Sequence, residues 1–237
     1  TDDMRGGLGY NGLANLQKFV SEGGLMIAIQ NGTQIPVQSG MTDMVSIVDA
    51  RNLQAPGSVL LANVEDKKSP IAYGYDDKLY VYFRQGPILR VSTGFAPAAP
   101  APDAAAGRPS GRGSANDPDV IQGRAYSAPE KTTKRTPKEE EYFIQEDSIE
   151  TARTQLPPKE QWPRVILRFA PEKELLLSGM LVSAGEIAEK PVVIDIPHGK
   201  GHTVLFANNP MWRDETMGSF FLLFNAMMHF DHLNAGR

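Results

Sequence analysis

The sequence predicts an α/β fold on a mixed sheet, and three observations carry that expectation. Helically spaced apolar residues lead through Gly23-Gly24 into the unbroken apolar run Leu25–Ile29, a Rossmann-like helix-to-strand step. Short apolar runs recur at 164–169, 191–196 and 202–206, the last two joined by the glycine-bearing segment 197–201. A second helical stretch, rich in Phe, Leu and Met, covers 215–233.

Taken in order, the first helix starts at Asn11-Gly12, and Leu13, Leu16, Phe19 and Val20 form its stripe. Gly23-Gly24 stops it, because glycine accepts the left-handed backbone that ends helices. The run 25–29 has the continuous apolarity of a buried, parallel strand, and Gln30-Asn31-Gly32-Thr33 reads as a turn directly after it. Residues 58–62 suit a strand or a short helix. Residues 78–83 and 87–91 read as strands with a hairpin turn at Gln85-Gly86. The segment 197–201 reads as a tight hairpin between antiparallel strands, so the sheet is expected to be mixed. In the final helix Phe220, Phe221, Leu223, Phe224, Met227 and Met228 form a wide apolar face.

Composition divides the 237 residues into residues 1–91, an insertion over 92–163, and residues 164–237. The insertion holds ten of the 18 prolines, and its first part is rich in Pro, Ala and Gly. Such composition offers too little apolar surface to offset the entropy of ordering. The charged stretch 131–150 suits a solvated surface or a short helix. Each flank alone, at roughly 75–90 residues, would make a marginal core, so the flanks read as halves of one domain.

Composition also removes functions. There is no cysteine, hence no disulfide, no Cys-ligated metal and no thiolate nucleophile. A net charge of -4 gives no electrostatic drive toward nucleic acid or anionic membrane. No apolar run approaches the roughly 18 residues of a membrane span, and Thr1–Arg5 lacks the pattern of a signal peptide. The redox compartment stays open.

The turn after residue 29 is where α/β folds place ligands and nucleophiles. Gln30 and Asn31 have no attacking group there, and the nearby hydroxyl, Thr33, falls after the glycine. The residues favour a structural turn over a catalytic one. His229 and His232, three apart, would need a third ligand to hold a metal, and the chain has no His-Glu-x-x-His motif. Trp212 and Arg213 suit packing, or clamping of a carboxylate. With Asn31, His202 and Asn208 they are the candidate ligand-binding residues.

The step 12–29 resembles class I glutamine-amidotransferase-like domains. The stretches Gly199–Arg213 and Gly218–Ala226 make the chain similar to the C-terminal region of bacterial M14-type zinc carboxypeptidase-like proteins. That resemblance covers both flanks and not the insertion. It implies a flavodoxin-like, doubly wound sheet that here lacks its N-terminal strands, because residues 1–10 are too few to supply them. In active amidotransferase-like domains a cysteine stands where Gln30 stands, and a histidine follows a late strand where this chain has Ala207-Asn208-Asn209-Pro210. The resemblance therefore implies a module without thiolate chemistry, attached to an upstream peptidase domain of the same polypeptide that would hold the zinc. No cofactor is expected in this chain. A secreted or periplasmic location, a peptide or glycan ligand, and self-association are compatible with it. The competing readings are a carbohydrate- or peptide-binding regulatory module and a hydrolase that uses groups other than cysteine.

Overall fold

The computed structural model describes residues 8–92 and 158–237. They form one α/β unit around a seven-stranded mixed sheet, with helices and a small second sheet against it. The expected insertion and its charged stretch fall almost wholly outside the described residues.

The first helix, α1 (Gly9–Ser21), ends where the Gly23 and Gly24 N–H groups bond back to the carbonyls of Val20 and Phe19. Strand β1 (Leu25–Ile29) follows and pairs in parallel with β9 (Gly201–Phe206), from Leu25 opposite His202 to Ile29 opposite Phe206. A 3-10 turn (Gln30–Thr33) and the short α2 (Gln34–Gln38) lead to β2 (Val45–Val48). Strands β3 (Ser58–Val64) and β4 (Lys78–Phe83) are antiparallel, and β5 (Ile88–Val91) pairs with β2 in the second sheet. In the second described stretch, β6 (Arg164–Phe169) runs antiparallel to both β3 and β8 (Pro191–His198). Helix α3 (Glu172–Leu175) interrupts it, and β7 (Leu176–Gly179) resumes pairing along β3. The last helix, α4, is Phe220–Met228.

The main order is β1-β9-β8-β6-β3-β4. Given the pairings, β1, β9, β6 and β4 all end at the same side of the sheet, and this crest carries the candidate site.

Alternation along β1 divides the core in two. Leu25, Ile27 and Ile29 face the larger cluster with Val204, Phe206, Phe83 and Phe169, closed by Leu222 and Ala226 of α4 and by Leu233. Met26 and Ala28 face the smaller one, with Leu205, Ile194, Val37, Val45 and Leu89. A buried leucine such as Leu222 stabilises by about 2–3 kcal/mol.

Three expectations are revised. Gln85-Gly86 does not join a hairpin; the chain crosses there from the main sheet to the second one. The reason is local: a two-residue hairpin needs the N–H of the residue after the turn, and Pro87 has none. The last helix is shorter than 215–233, because a turn at 212–215 precedes it and His229 leaves the helical backbone. On α1 the predicted stripe is only partly used. Val20 is buried, whereas Phe19 is half exposed and lines an open groove of about 520 Å³ with Gly24, Leu25, Met227 and Phe230.

Candidate functional site

β1 enters the crest with Ile29 in extended conformation, and Gln30 then turns left-handed, with φ +49°. A strand, one left-handed residue and a helical turn make the backbone of a nucleophile elbow. The side chains do not complete it. Thr33 is fully buried and its hydroxyl donates to the Gln30 carbonyl at 2.7 Å, so it closes the turn and is not presented for attack. Asn31 is exposed at the tip.

Beside this turn the chain leaves β9 through Ala207, whose N–H bonds to Val192, into Asn208. Asn208 is fully buried, and neither polar atom of its amide has a protein partner among the described residues. The loop then crosses the crest toward β4. Asn209 accepts from the Met211 N–H, and Ser219 donates to the Pro210 carbonyl at 2.6 Å. Tyr75 donates to the Gly218 carbonyl, and burial pushes its hydroxyl up to about 12. Gly86 passes so close to the Ala207 carbonyl that a Cβ there would collide with it.

Trp212 lies parallel to Tyr82 of β4, with ring centroids 5.7 Å apart. The guanidinium carbons of Arg84 and Arg213 lie 5.8 Å and 5.1 Å from the same indole. Trp212 accepts from the Glu215 N–H, and both residues between them have positive φ, Arg213 at +46° and Asp214 at +58°. That is the pattern of a type I′ turn, which favours Asn and Gly. Among the described residues six non-glycine positions have positive φ, and Gln30, Gln85, Arg213 and Asp214 are among them.

His202 is elsewhere. It opens β9 at the opposite end of the sheet, where its Nδ1 meets Asp195 Oδ1 at 2.7 Å, with both side chains buried. Arg237 donates to the other oxygen of Asp195 at 2.8 Å and to the Trp162 carbonyl. Arg164 pairs with Asp66 and donates to the carbonyls of Leu233 and Ala235. Burial alone would raise the Asp66 pKa, but the hydrogen bond and charge of Arg164 and the N–H groups of Lys68 and Ser69 outweigh it, leaving it below the usual carboxylate value. This cluster clasps residues 233–237 onto the sheet. From His202 to Ala207 is five strand residues, about 16 Å at the usual rise, so His202 cannot serve the elbow.

The remaining candidates do not converge. His229 ends α4 and packs edge-on against Tyr73, while His232 bonds to Asp231 at 2.6 Å. Among the described residues no group of three or more His, Asp or Glu is placed to hold a metal. No helix among them is long and apolar enough to cross a membrane. Of the residues named from sequence, Gln30, Asn31, Thr33, Asn208, Trp212 and Arg213 lie on the crest, and His202 does not. Arg84 was not foreseen: it follows a strand-like run with nothing around it to mark a partner in Trp212. Asp195 carried a legible signal, an acid inside the apolar run 191–196, across a tight hairpin from His202.

No family model matches the chain, and no curated protein matches it either. Among solved structures, the cytoplasmic protein STM3548 from Salmonella typhimurium is similar at 11% identity and a TM-score of 0.41. The match covers 93% of this chain, which spans 60% of the length of that protein. A likeness this slight carries no argument about function.

Proposed function

We propose that this chain is a non-catalytic, amidotransferase-like accessory module of a zinc carboxypeptidase-like protein. In that reading the peptidase chemistry and its zinc reside in another domain of the same polypeptide, in a secreted or periplasmic setting. The module contributes by binding a peptide or glycan or by orienting its neighbour.

The observation that supports it most is the elbow. Its backbone retains the strained, left-handed conformation that presents a nucleophile, yet the residue there is Gln30, whose amide cannot attack. The groups that would activate a nucleophile are also wrong. Asn208 stands at the end of the neighbouring strand, and the buried His202–Asp195 pair is at the far end of the sheet. A positioned base must reach hydrogen-bonding distance of its proton, which strand geometry forbids here.

The test is glutamine hydrolysis by the purified chain and by Gln30→Cys. We expect no ammonia release from either, because restoring the thiol does not restore its base. Turnover by the natural chain would overturn the reading.

A further inference from the structure

We propose that Arg84, Trp212 and Arg213 form a binding site for a ligand carboxylate, on the crest where β4 and β9 end. The proposal rests on reading this crest as a ligand-binding, non-catalytic surface, and it names the chemistry that surface recognises.

Two guanidiniums approach one indole at 5.8 Å and 5.1 Å. Among the described residues neither has an acidic partner, although Asp214 and Glu215 directly follow Arg213. By contrast, Arg164 and Arg237 are tied up in ion pairs with Asp66 and Asp195. The fork of donors on Arg84 and Arg213 is therefore open to solvent, pre-set by the ring of Trp212, which itself is held against the buried Tyr82. Pre-setting the donors lowers the entropy lost on binding.

The backbone supplies a second, independent observation. Arg213 occupies a left-handed position in a turn that Asn or Gly would form without strain, and Asp214 beside it is left-handed too. Gln85, next to Arg84, is also left-handed. Backbone strain concentrates where function holds it in place. Here it accompanies both arginines.

A planar fork of N–H donors matches the planar, two-oxygen geometry of a carboxylate. The chain as a whole carries a net charge of -4, so anion binding at this crest has to come from local contacts and not from long-range attraction. Carboxylates of this kind are borne by peptides and by sugar acids.

The test is calorimetric titration of the full chain with hippurate (a peptide-like carboxylate), methyl hippurate and glucuronate. The Trp212 indole N–H resonance, assigned with Trp212→Phe, reports the site. We expect one free acid to bind and shift that resonance, and methyl hippurate to be silent. Hippurate binding assigns a peptide source and glucuronate binding a sugar acid. Arg84→Gln and Arg213→Gln should each weaken the binding about tenfold or more, and Arg213→Lys should weaken it because charge alone does not replace the fork. These side chains are exposed, so the variants should fold.

Binding of neither acid overturns the proposal. So does equal binding of the ester, or binding that survives loss of both arginines. Ammonia release from glutamine by the same samples would sink the non-catalytic reading while leaving the carboxylate affinity standing.

Discussion

Asn208 is buried with an amide that meets no partner among the described residues, a costly arrangement for a side chain with two donors and two acceptors. Leaving such a group unsatisfied costs about 1–3 kcal/mol, and an apolar side chain of similar volume avoids that cost. Asn208→Leu should therefore raise Tm, by about 2–4 °C per kcal/mol gained. A lower Tm in thermal unfolding would show that the amide is satisfied in solution. Gln30 is a simpler case. A non-glycine residue in the left-handed region costs about 1–2 kcal/mol, so Gln30→Gly should be neutral or stabilising by up to about 1 kcal/mol in urea unfolding. The absence of a nucleophile at residue 30 was legible from residue type alone. The strain there was not, because a left-handed glutamine is imposed by the strand and turn around it and leaves no mark in composition.

At the level of elements, the close approach of α1 to β9 depends on Gly201. A Cβ there would strike the carbonyls of Val20 and Gly24, both backbone atoms that cannot swing aside. Gly201→Ala should destabilise by about 2–3 kcal/mol or more, measured by urea unfolding, while Gly218→Ala, which would meet only the Leu79 side chain, should change little. The strands legible in the sequence were those with short, mostly apolar runs: β1, β4, β6, β8 and β9 are all found where the runs stand. The two strands not foreseen, β2 and β7, are four residues long, and every residue of β7 is exposed. Their pairing comes from what lies beside them in space, and a window of sequence does not contain that. The shortened α4 has the same origin. Its residues favour helix further, but Leu233 is drawn into the core and Arg164 claims the carbonyls of Leu233 and Ala235.

Across the whole molecule, the cluster opposite the crest ties the last residues to both flanks. Asp195→Ala would leave Arg237 without its carboxylate in a mostly buried position, and breaking such a pair costs about 3–5 kcal/mol. A loss below 1 kcal/mol in chemical unfolding would show that the clasp contributes nothing. Asp66 makes the pH prediction. Its folded pKa lies below the unfolded value, so its contribution is present above that unfolded value, near 3.8, and is lost as pH falls through the folded one. Tm should fall more steeply below about pH 4 in the natural chain than in Asp66→Asn, in scans at a series of pH values. A parallel pair of curves would remove Asp66 from the acid limb. Only part of this cluster was readable beforehand. The partners Asp66, Arg164, Asp195, His202 and Arg237 are scattered along the chain, and only the fold assembles them.

The parallel pairing of β1 with β9 has a consequence for how the protein is made. Ile29 leaves the ribosome long before its partner Phe206, and at the usual rate of synthesis the delay is roughly 10–35 s. Throughout that interval five apolar residues have no strand to bond to, and the hairpin of β8 and β9 that will receive them does not yet exist. The nascent chain must be shielded for that time, so holdase chaperones should set its yield more strongly than its final stability does.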